Sequence, residues 1–84
     1  MSYSVYIVRC ADGTFYTGIA TDVQRRIEEH NTSPKGARYT RSRRPVTLVW
    51  EEKHPDRSSA SKREHALKKM SREEKRRLIE TTGH

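Results

Sequence analysis

The chain has 84 residues, of which 31% are hydrophobic and 35% are charged, and its formal net charge is +7. A chain of this length buries one modest core, so these values argue against several domains or a large enclosed ligand cavity and predict one domain over residues 1–84. Eighteen Lys and Arg against eleven Asp and Glu indicate a polyanionic partner. The alternative is that the positive charge serves only solubility.

The cysteine content and the hydropathy of the sequence indicate the cellular compartment of the protein. Cys10 is the only cysteine, so the chain cannot form an internal disulfide, which favours a reducing environment. No stretch has the pattern of a signal peptide or the apolar length of a membrane-spanning helix. The sequence therefore predicts a cytoplasmic protein without membrane attachment.

Two segments rich in β-branched and aromatic residues predict a β-hairpin. They are residues 3–10 and 15–20, and the turn signal Asp12-Gly13 lies between them. A two-residue loop would place Tyr6 and Tyr16 on opposite faces of the sheet, whereas an odd loop would place them on the same face. The sequence leaves both arrangements open.

A helix is predicted next, because Thr21 and Gln24 form a capping-box pattern and apolar residues at helical spacing continue to about Asn31. Arg26 and His30 are four residues apart. They are therefore expected to be neighbours on adjacent turns of this helix.

Residues 32–45 form the most basic segment, and its Pro and Gly residues predict a loop. The segment contains no acidic residue, so its cations are suited to neutralising phosphates with salt-dependent, largely sequence-independent affinity. Its tyrosine is suited to stacking on an unpaired base. The candidate nucleic-acid-binding residues are Lys35, Arg38, Tyr39, Arg41, Arg43 and Arg44.

A third strand is predicted over residues 46–50, closed by residues 51–55. Its alternation predicts that three side chains share one face: Val46, Leu48 and Trp50. Ser71 and Glu74 form a further capping box, which predicts a short last helix through Glu80.

Between these elements, Asp56 is suited to capping a helix of about fourteen residues. In this helix Glu64 shares a face with Ala60 and Leu67. A carboxylate among core positions is costly unless a cation or hydrogen-bond donors accompany it. Glu64 is therefore a candidate site residue, and a salt bridge to an arginine is its structural alternative.

Taken in order, these residues resemble the GIY-YIG nucleases. The first motif corresponds to Ser4-Val5-Tyr6 and the second to Tyr16-Thr17-Gly18. Arg26 and His30 match the helix arginine of the family and its companion histidine, and Glu64 matches the metal-binding glutamate. The resemblance implies an α+β fold with a three-stranded, mainly antiparallel sheet, element order β-β-α-β-α-α, flanked by helices.

The resemblance also implies a metal-dependent endonuclease that hydrolyses DNA, in repair or processing, through a tyrosine-activated water. Tyr16 would be the general base, although a phenol with a pKa of about 10 needs nearby cations to act near neutral pH. Tyr6 would hydrogen-bond the water or a phosphate oxygen, Arg26 would clamp the scissile phosphate, and His30 would donate to it or relay a proton. Glu64 would hold Mg²⁺ or Mn²⁺.

Structural roles for these residues compete with the catalytic ones. Either tyrosine is suited to packing in a hairpin, and Arg26 is suited to pairing with Asp22 one turn back. Gly18, without a side chain, is expected to leave room for the substrate backbone.

Three departures from the family pattern favour an alternative function. Ser4 stands where the family usually has glycine, Ile19 replaces a lysine of some members, and no asparagine follows Asn31. The alternative is a catalytically weak or inactive module that binds DNA or RNA. DNA is the preferred partner, and a small domain of this kind is also suited to a protein partner or a homodimer for specificity.

Overall fold

The computed structural model describes residues 2–32 and 38–81. The elements in chain order are β1 (Tyr3–Arg9), β2 (Phe15–Ala20), α1 (Val23–Thr32), α2 (Arg38–Arg41), β3 (Thr47–His54), α3 (Arg57–Lys68) and α4 (Arg72–Thr81). The three strands form an antiparallel sheet in the order β2-β1-β3. This confirms the α+β class and the order of the main elements. The single turn α2 is additional and lies within the segment predicted as a loop.

The hairpin register decides the open question about the two tyrosines. Residues 10–14 connect β1 to β2, and Gly13 adopts a φ of 85° within this turn. Tyr6 pairs with Gly18 and Val8 pairs with Tyr16 across the ladder. Because directly paired residues share a face and side chains alternate along a strand, Tyr6 and Tyr16 lie on the same face of the sheet.

Each face of the sheet carries its own apolar cluster. On one face Val5 and Ile7 pack with buried residues of α3, and on the other Tyr6 and Val8 pack with Val23 at the start of α1. The candidate tyrosines therefore lie on the face that α1 covers.

A β-bulge in β3 changes the predicted facing of its side chains. Trp50 pairs with Ile7 and Leu48 pairs with Val8, so one extra residue of β3 lies between two consecutive positions of β1. Trp50 consequently packs with Val5 and Ile7, whereas Leu48 belongs to the cluster on the other face. The prediction that Val46, Leu48 and Trp50 share a face is wrong, and the strand also continues to His54.

The first helix is capped one residue later than predicted. The Asp22 carboxylate accepts a hydrogen bond of 3.1 Å from the backbone N–H of Arg25, as an N-cap side chain does three residues before its donor. The capping residue is therefore Asp22 rather than Thr21.

The caps predicted for the last two helices are confirmed. Asp56 accepts from the backbone N–H of Ser59 at 2.8 Å at the start of α3. Ser71 Oγ accepts from the N–H of Glu74 at 3.1 Å, while Glu74 accepts from the N–H of Ser71 at 3.0 Å. None of the helices in the described ranges is both long and apolar enough to pass through a bilayer.

Candidate active site

Tyr6 lies at the centre of the candidate site, on the central strand, with only 1% of its surface exposed. Its ring occupies the space beside Gly18, where an added Cβ would come within 2.5 Å of the Tyr6 Oη and 2.7 Å of its Cζ. Gly18 thus accommodates Tyr6, not the substrate backbone that the sequence led us to expect. Cross-strand pairing explains this contact, because the two residues face each other directly.

His30 joins Tyr6 to the short helix α2. Its Nε2 lies 2.8 Å from the Tyr6 Oη, and its Nδ1 lies 2.8 Å from Thr40 Oγ1. His30 and Thr40 are both fully buried. Burial, assisted by the positive charge of Arg26, lowers the pKa of His30 to about 4, so the imidazole is neutral near pH 7.

The electrostatic surroundings of Tyr6 identify its neighbours. Burial raises the pKa of Tyr6 to about 12, and the charges of Tyr16 and Glu64 act in the same direction. Arg26 acts in the opposite direction and lowers the pKa of Tyr6, through a hydrogen bond to the phenol and through its positive charge. Tyr6 is therefore protonated near neutral pH, and three of the predicted site residues lie within electrostatic reach of its hydroxyl.

Arg26 is held between Tyr6 and an acidic residue of its own helix. Its Nη1 donates to Glu29 Oε1 at 3.0 Å, and 28% of its side chain is exposed. Arg25 also approaches Glu29, at 3.7 Å, but its side chain is 74% exposed. The pairing of Arg26 with Asp22 considered from the sequence is not the one found, because the Asp22 carboxylate caps α1.

Aromatic contacts bring Tyr39 to the site. The ring centroid of Tyr16 lies 5.4 Å from that of His30, edge to face, and 5.8 Å from the stacked ring of Tyr39. The Arg43 guanidinium carbon lies 4.0 Å from the Tyr39 centroid. Tyr39 is therefore a neighbour of Tyr16 whose ring already contacts two groups of the protein.

The basic segment contributes to the fold as well as to surface charge. Arg43 Nε donates to Asp12 Oδ2 at 3.0 Å, so an acidic residue of the hairpin turn balances this cation. Arg44 donates to the backbone carbonyl of His30, and Arg41 is exposed. Two other predicted phosphate contacts, Lys35 and the side chain of Arg38, lie outside the described residues.

Glu64 is the predicted metal ligand, and its surroundings show whether a metal ion could bind there. Its side chain is 24% exposed, and Lys68 one turn later lies 3.3 Å from it. Within residues 2–32 and 38–81, no group of three His, Cys, Asp or Glu side chains is arranged to hold a metal. A magnesium-like ion typically takes one or two carboxylates and completes its shell with water and substrate phosphates, so a single Glu64 fits an ion shared with the substrate.

Two residues that contact the site residues were not predicted from the sequence. Glu29 was detectable, because its spacing of three residues from Arg26 places the two side chains together on a helix. Thr40 was not, since its contact with His30 depends on where the basic segment folds back onto α1.

Comparisons with known proteins show which proteins this chain resembles. The family described as the GIY-YIG catalytic domain matches residues 2–77. The UPF0213 protein DP2720 of Desulfotalea psychrophila is 62% identical over 81 residues, covering 96% of this chain and 74% of the relative. A UPF0213 protein of Staphylococcus aureus is 51% identical over 78 residues, covering 93% of this chain and 94% of the relative.

Two solution NMR structures share the fold. The UPF0213 protein BH0048 from Bacillus halodurans is 44% identical, with a TM-score of 0.64 and coverage of 99% of this chain and 87% of that one. The protein EF2693 from E. faecalis is 43% identical, with a TM-score of 0.67 and coverage of 98% and 86%. The family match supports a nuclease domain with a nucleic-acid substrate. Since it spans nearly the whole chain, this protein belongs to the GIY-YIG catalytic domain family.

Proposed function

We propose that the protein is an endonuclease that hydrolyses DNA phosphodiester bonds with the help of a divalent metal ion. One observation carries the proposal: predicted site residues from β1, β2, α1 and α3 gather around the Tyr6 hydroxyl. Tyr16, Arg26 and Glu64 all influence its pKa, and His30 hydrogen-bonds to it. A packing role for the tyrosines alone gives no reason for an arginine to hydrogen-bond this phenol or for a glutamate to lie near enough for its charge to act on it.

Exposure distinguishes the roles of the two tyrosines. Tyr6 is sealed from solvent and remains protonated at neutral pH, so it is poorly placed to take a proton from water. Tyr16 is half-buried on the same face of the sheet and reaches the surface. We therefore assign proton abstraction from the attacking water to Tyr16, and a supporting hydrogen-bonding role to Tyr6.

His30 would act through Tyr6. Both of its ring nitrogens are engaged inside the protein, by Tyr6 and by Thr40. A neutral imidazole in this position fixes the orientation of the phenol through the hydrogen bond between them. Direct donation from His30 to a phosphate would require one of these two hydrogen bonds to break.

Arg26 supplies the positive charge for the phosphate. Glu29 and Tyr6 hold part of its guanidinium group, which restricts the side chain, while 28% of the side chain stays accessible. A planar guanidinium matches two oxygens of a phosphate, and its charge stabilises the extra negative charge of the transition state.

Glu64 would hold the metal ion, Mg²⁺ or Mn²⁺, and the ion when bound would polarise the phosphodiester and stabilise the departing oxygen. The carboxylate is partly exposed, and its ion pair with Lys68 is a surface contact that costs little to replace. Because this site offers one carboxylate, we expect metal binding to depend on bound nucleic acid.

The proposal is tested by incubating labelled duplex, single-stranded and branched DNA with Mg²⁺ or Mn²⁺ and wild-type protein, Tyr16→Phe or Glu64→Ala. Cleavage by the wild type that both substitutions remove supports the assigned roles. Absence of cleavage on every substrate, with salt-sensitive binding retained by all three proteins, would instead favour the nucleic-acid-binding module.

A further inference from the structure

A small cleft lies beside the candidate active site, between the hairpin tip and α4. It has a volume of about 220 Å³, and it is lined by Thr14, Phe15, Tyr39, Arg72 and Lys75. Tyr39 connects the cleft to the site, because its ring also stacks on that of Tyr16, with the two centroids 5.8 Å apart. A strand leaving the site past Tyr39 would therefore enter this cleft.

The two cations of the cleft differ from the other charged residues of α4. Arg76 and Arg77 both approach the Glu73 carboxylate, at 2.9 and 3.9 Å. Within the described part of the chain, neither Arg72 nor Lys75 has a carboxylate at ion-pair distance. Their positive charges are therefore available to an anion from outside the protein.

Lys75 occupies an environment that an anion would improve. The side chain is half-buried, and burial together with the positive charge of Lys68 lowers the pKa of Lys75. Lys75 is partly desolvated and lies near the positive charge of Lys68. Its charged form therefore costs free energy that a bound anion offsets. Arg72, three residues earlier on the same helix, also lines the cleft, and its Nη2 lies 3.3 Å from where a side chain at Gly13 would begin.

The neighbouring groove differs from this cleft in the charged residues that line it. That groove has a volume of about 930 Å³ and shares Arg72 with the cleft; its lining also includes the cations of Arg9 and Arg76 and the carboxylates of Glu73 and Glu80. The two carboxylates oppose an anion there. The lining of the smaller cleft, by contrast, contains the two cations Arg72 and Lys75 and no carboxylate.

We propose that Arg72 and Lys75 bind a backbone phosphate of the DNA strand next to the scissile phosphate, so that α4 holds the substrate across the Tyr16 site. This inference rests on the proposed function for the position of the scissile phosphate. It assigns α4 a part in substrate binding, whereas the basic contacts flanking the site were predicted from the sequence within residues 35–44.

The test compares the double variant Arg72→Gln/Lys75→Gln with Arg76→Gln/Arg77→Gln, which removes the same charge from the same helix. Binding of a labelled DNA duplex and a labelled single strand is measured without metal over a range of salt concentrations. Each phosphate contact contributes about 0.9 to the slope of log K against log salt for a duplex and about 0.7 for a single strand. Because the two side chains are proposed to share one phosphate, the first variant is expected to lower the duplex slope by about 0.9 and weaken binding on the order of tenfold, with little change in the control.

Equal losses in the two variants, no loss in the first, or no binding by the wild type would each overturn the inference. Because these measurements need no cleavage, they separate it from the proposed function. A normal slope in the first variant together with metal-dependent cleavage by the wild type would reject the α4 site alone. A selective loss of slope without cleavage on any substrate would retain the phosphate contact and reject the nuclease proposal.

Discussion

Gly18 lies directly across the β1–β2 ladder from Tyr6, and the phenol of Tyr6 fills the space that a side chain at position 18 would need. The second motif therefore shapes the site through the absence of a side chain. Any larger residue at this position would have to move the Tyr6 ring, and with it the hydroxyl that contacts His30.

Gly18→Ala is expected to destabilise the protein by about 1–3 kcal/mol, because a buried ring must move to admit the methyl group. Chemical denaturation measures the loss. The control is the same substitution in a Tyr6→Leu background, where the clashing ring atoms are absent and the additional loss should be small. An equally large loss in both backgrounds would show that contact with Tyr6 is not the cause.

The buried histidine predicts a specific pH dependence of stability. The pKa of His30 is lowered to about 4 in the folded protein, against about 6.5 in an unfolded chain. Between these values the unfolded state binds the proton and the folded state does not, so the free energy of unfolding falls as the pH decreases from about 6.5 to about 4. The loss attributable to His30 is about 3 kcal/mol.

Urea denaturation between pH 7 and pH ~4.5, for the wild type and for His30→Gln, checks this prediction. The remaining ionisable groups are the same in both proteins, so the difference between the two curves isolates His30. The stability advantage of the wild type should shrink toward acid pH. Parallel curves would contradict the assignment of a neutral, buried imidazole.

Arg26→Ala is expected to slow cleavage by roughly 10² to 10³, because its charge is proposed to stabilise the transition state. Arg25→Ala is the matched control, since Arg25 approaches the same Glu29 but is largely exposed. Single-turnover rates at saturating protein separate the chemical step from binding. Equal rates for the two variants would remove Arg26 from the mechanism.

A buried hydroxyl in the second motif offers a test of packing that is independent of activity. In the described structure Thr17 Oγ1 is buried and has no hydrogen-bond partner. Thr17→Val keeps the shape and removes the unsatisfied group, so it should stabilise the protein by about 1 kcal/mol. Thr40→Val provides the contrast: it removes the hydroxyl that contacts His30 Nδ1 and should destabilise by about 1–3 kcal/mol. A loss of stability in Thr17→Val would contradict this account.

The sequence predicted the elements whose signals are local. The Asp56 cap and the reciprocal Ser71–Glu74 cap are confirmed, because each uses a side chain within three residues of its backbone partner. The limits of β2 also agree with the alternation of its residues. The proximity of Arg26 and His30 follows from helix periodicity alone.

One failed prediction was local, because Asp22 rather than Thr21 caps α1. The others depended on pairing between segments. The facing of Trp50 was wrong because a bulge against Ile7 inserts one residue into the alternation, which no composition signal marks. Two further relations were not predicted: the relation of Tyr6 to Tyr16 was left open because it required the register of the hairpin, and the contact between His30 and Thr40 required the path of the basic segment. These are tertiary arrangements rather than local preferences.

The most direct test of the nuclease proposal is the metal-dependent cleavage of labelled branched and duplex DNA by the wild type, Glu64→Gln and Lys68→Gln, with DNA binding measured in parallel. Glu64→Gln removes the proposed metal ligand, whereas Lys68→Gln removes only the ion-pair partner of that ligand. We expect cleavage by the wild type and by Lys68→Gln, and no cleavage by a Glu64→Gln protein that still binds DNA. Cleavage by Glu64→Gln at the wild-type rate, or none by the wild type on any substrate, would contradict the proposal.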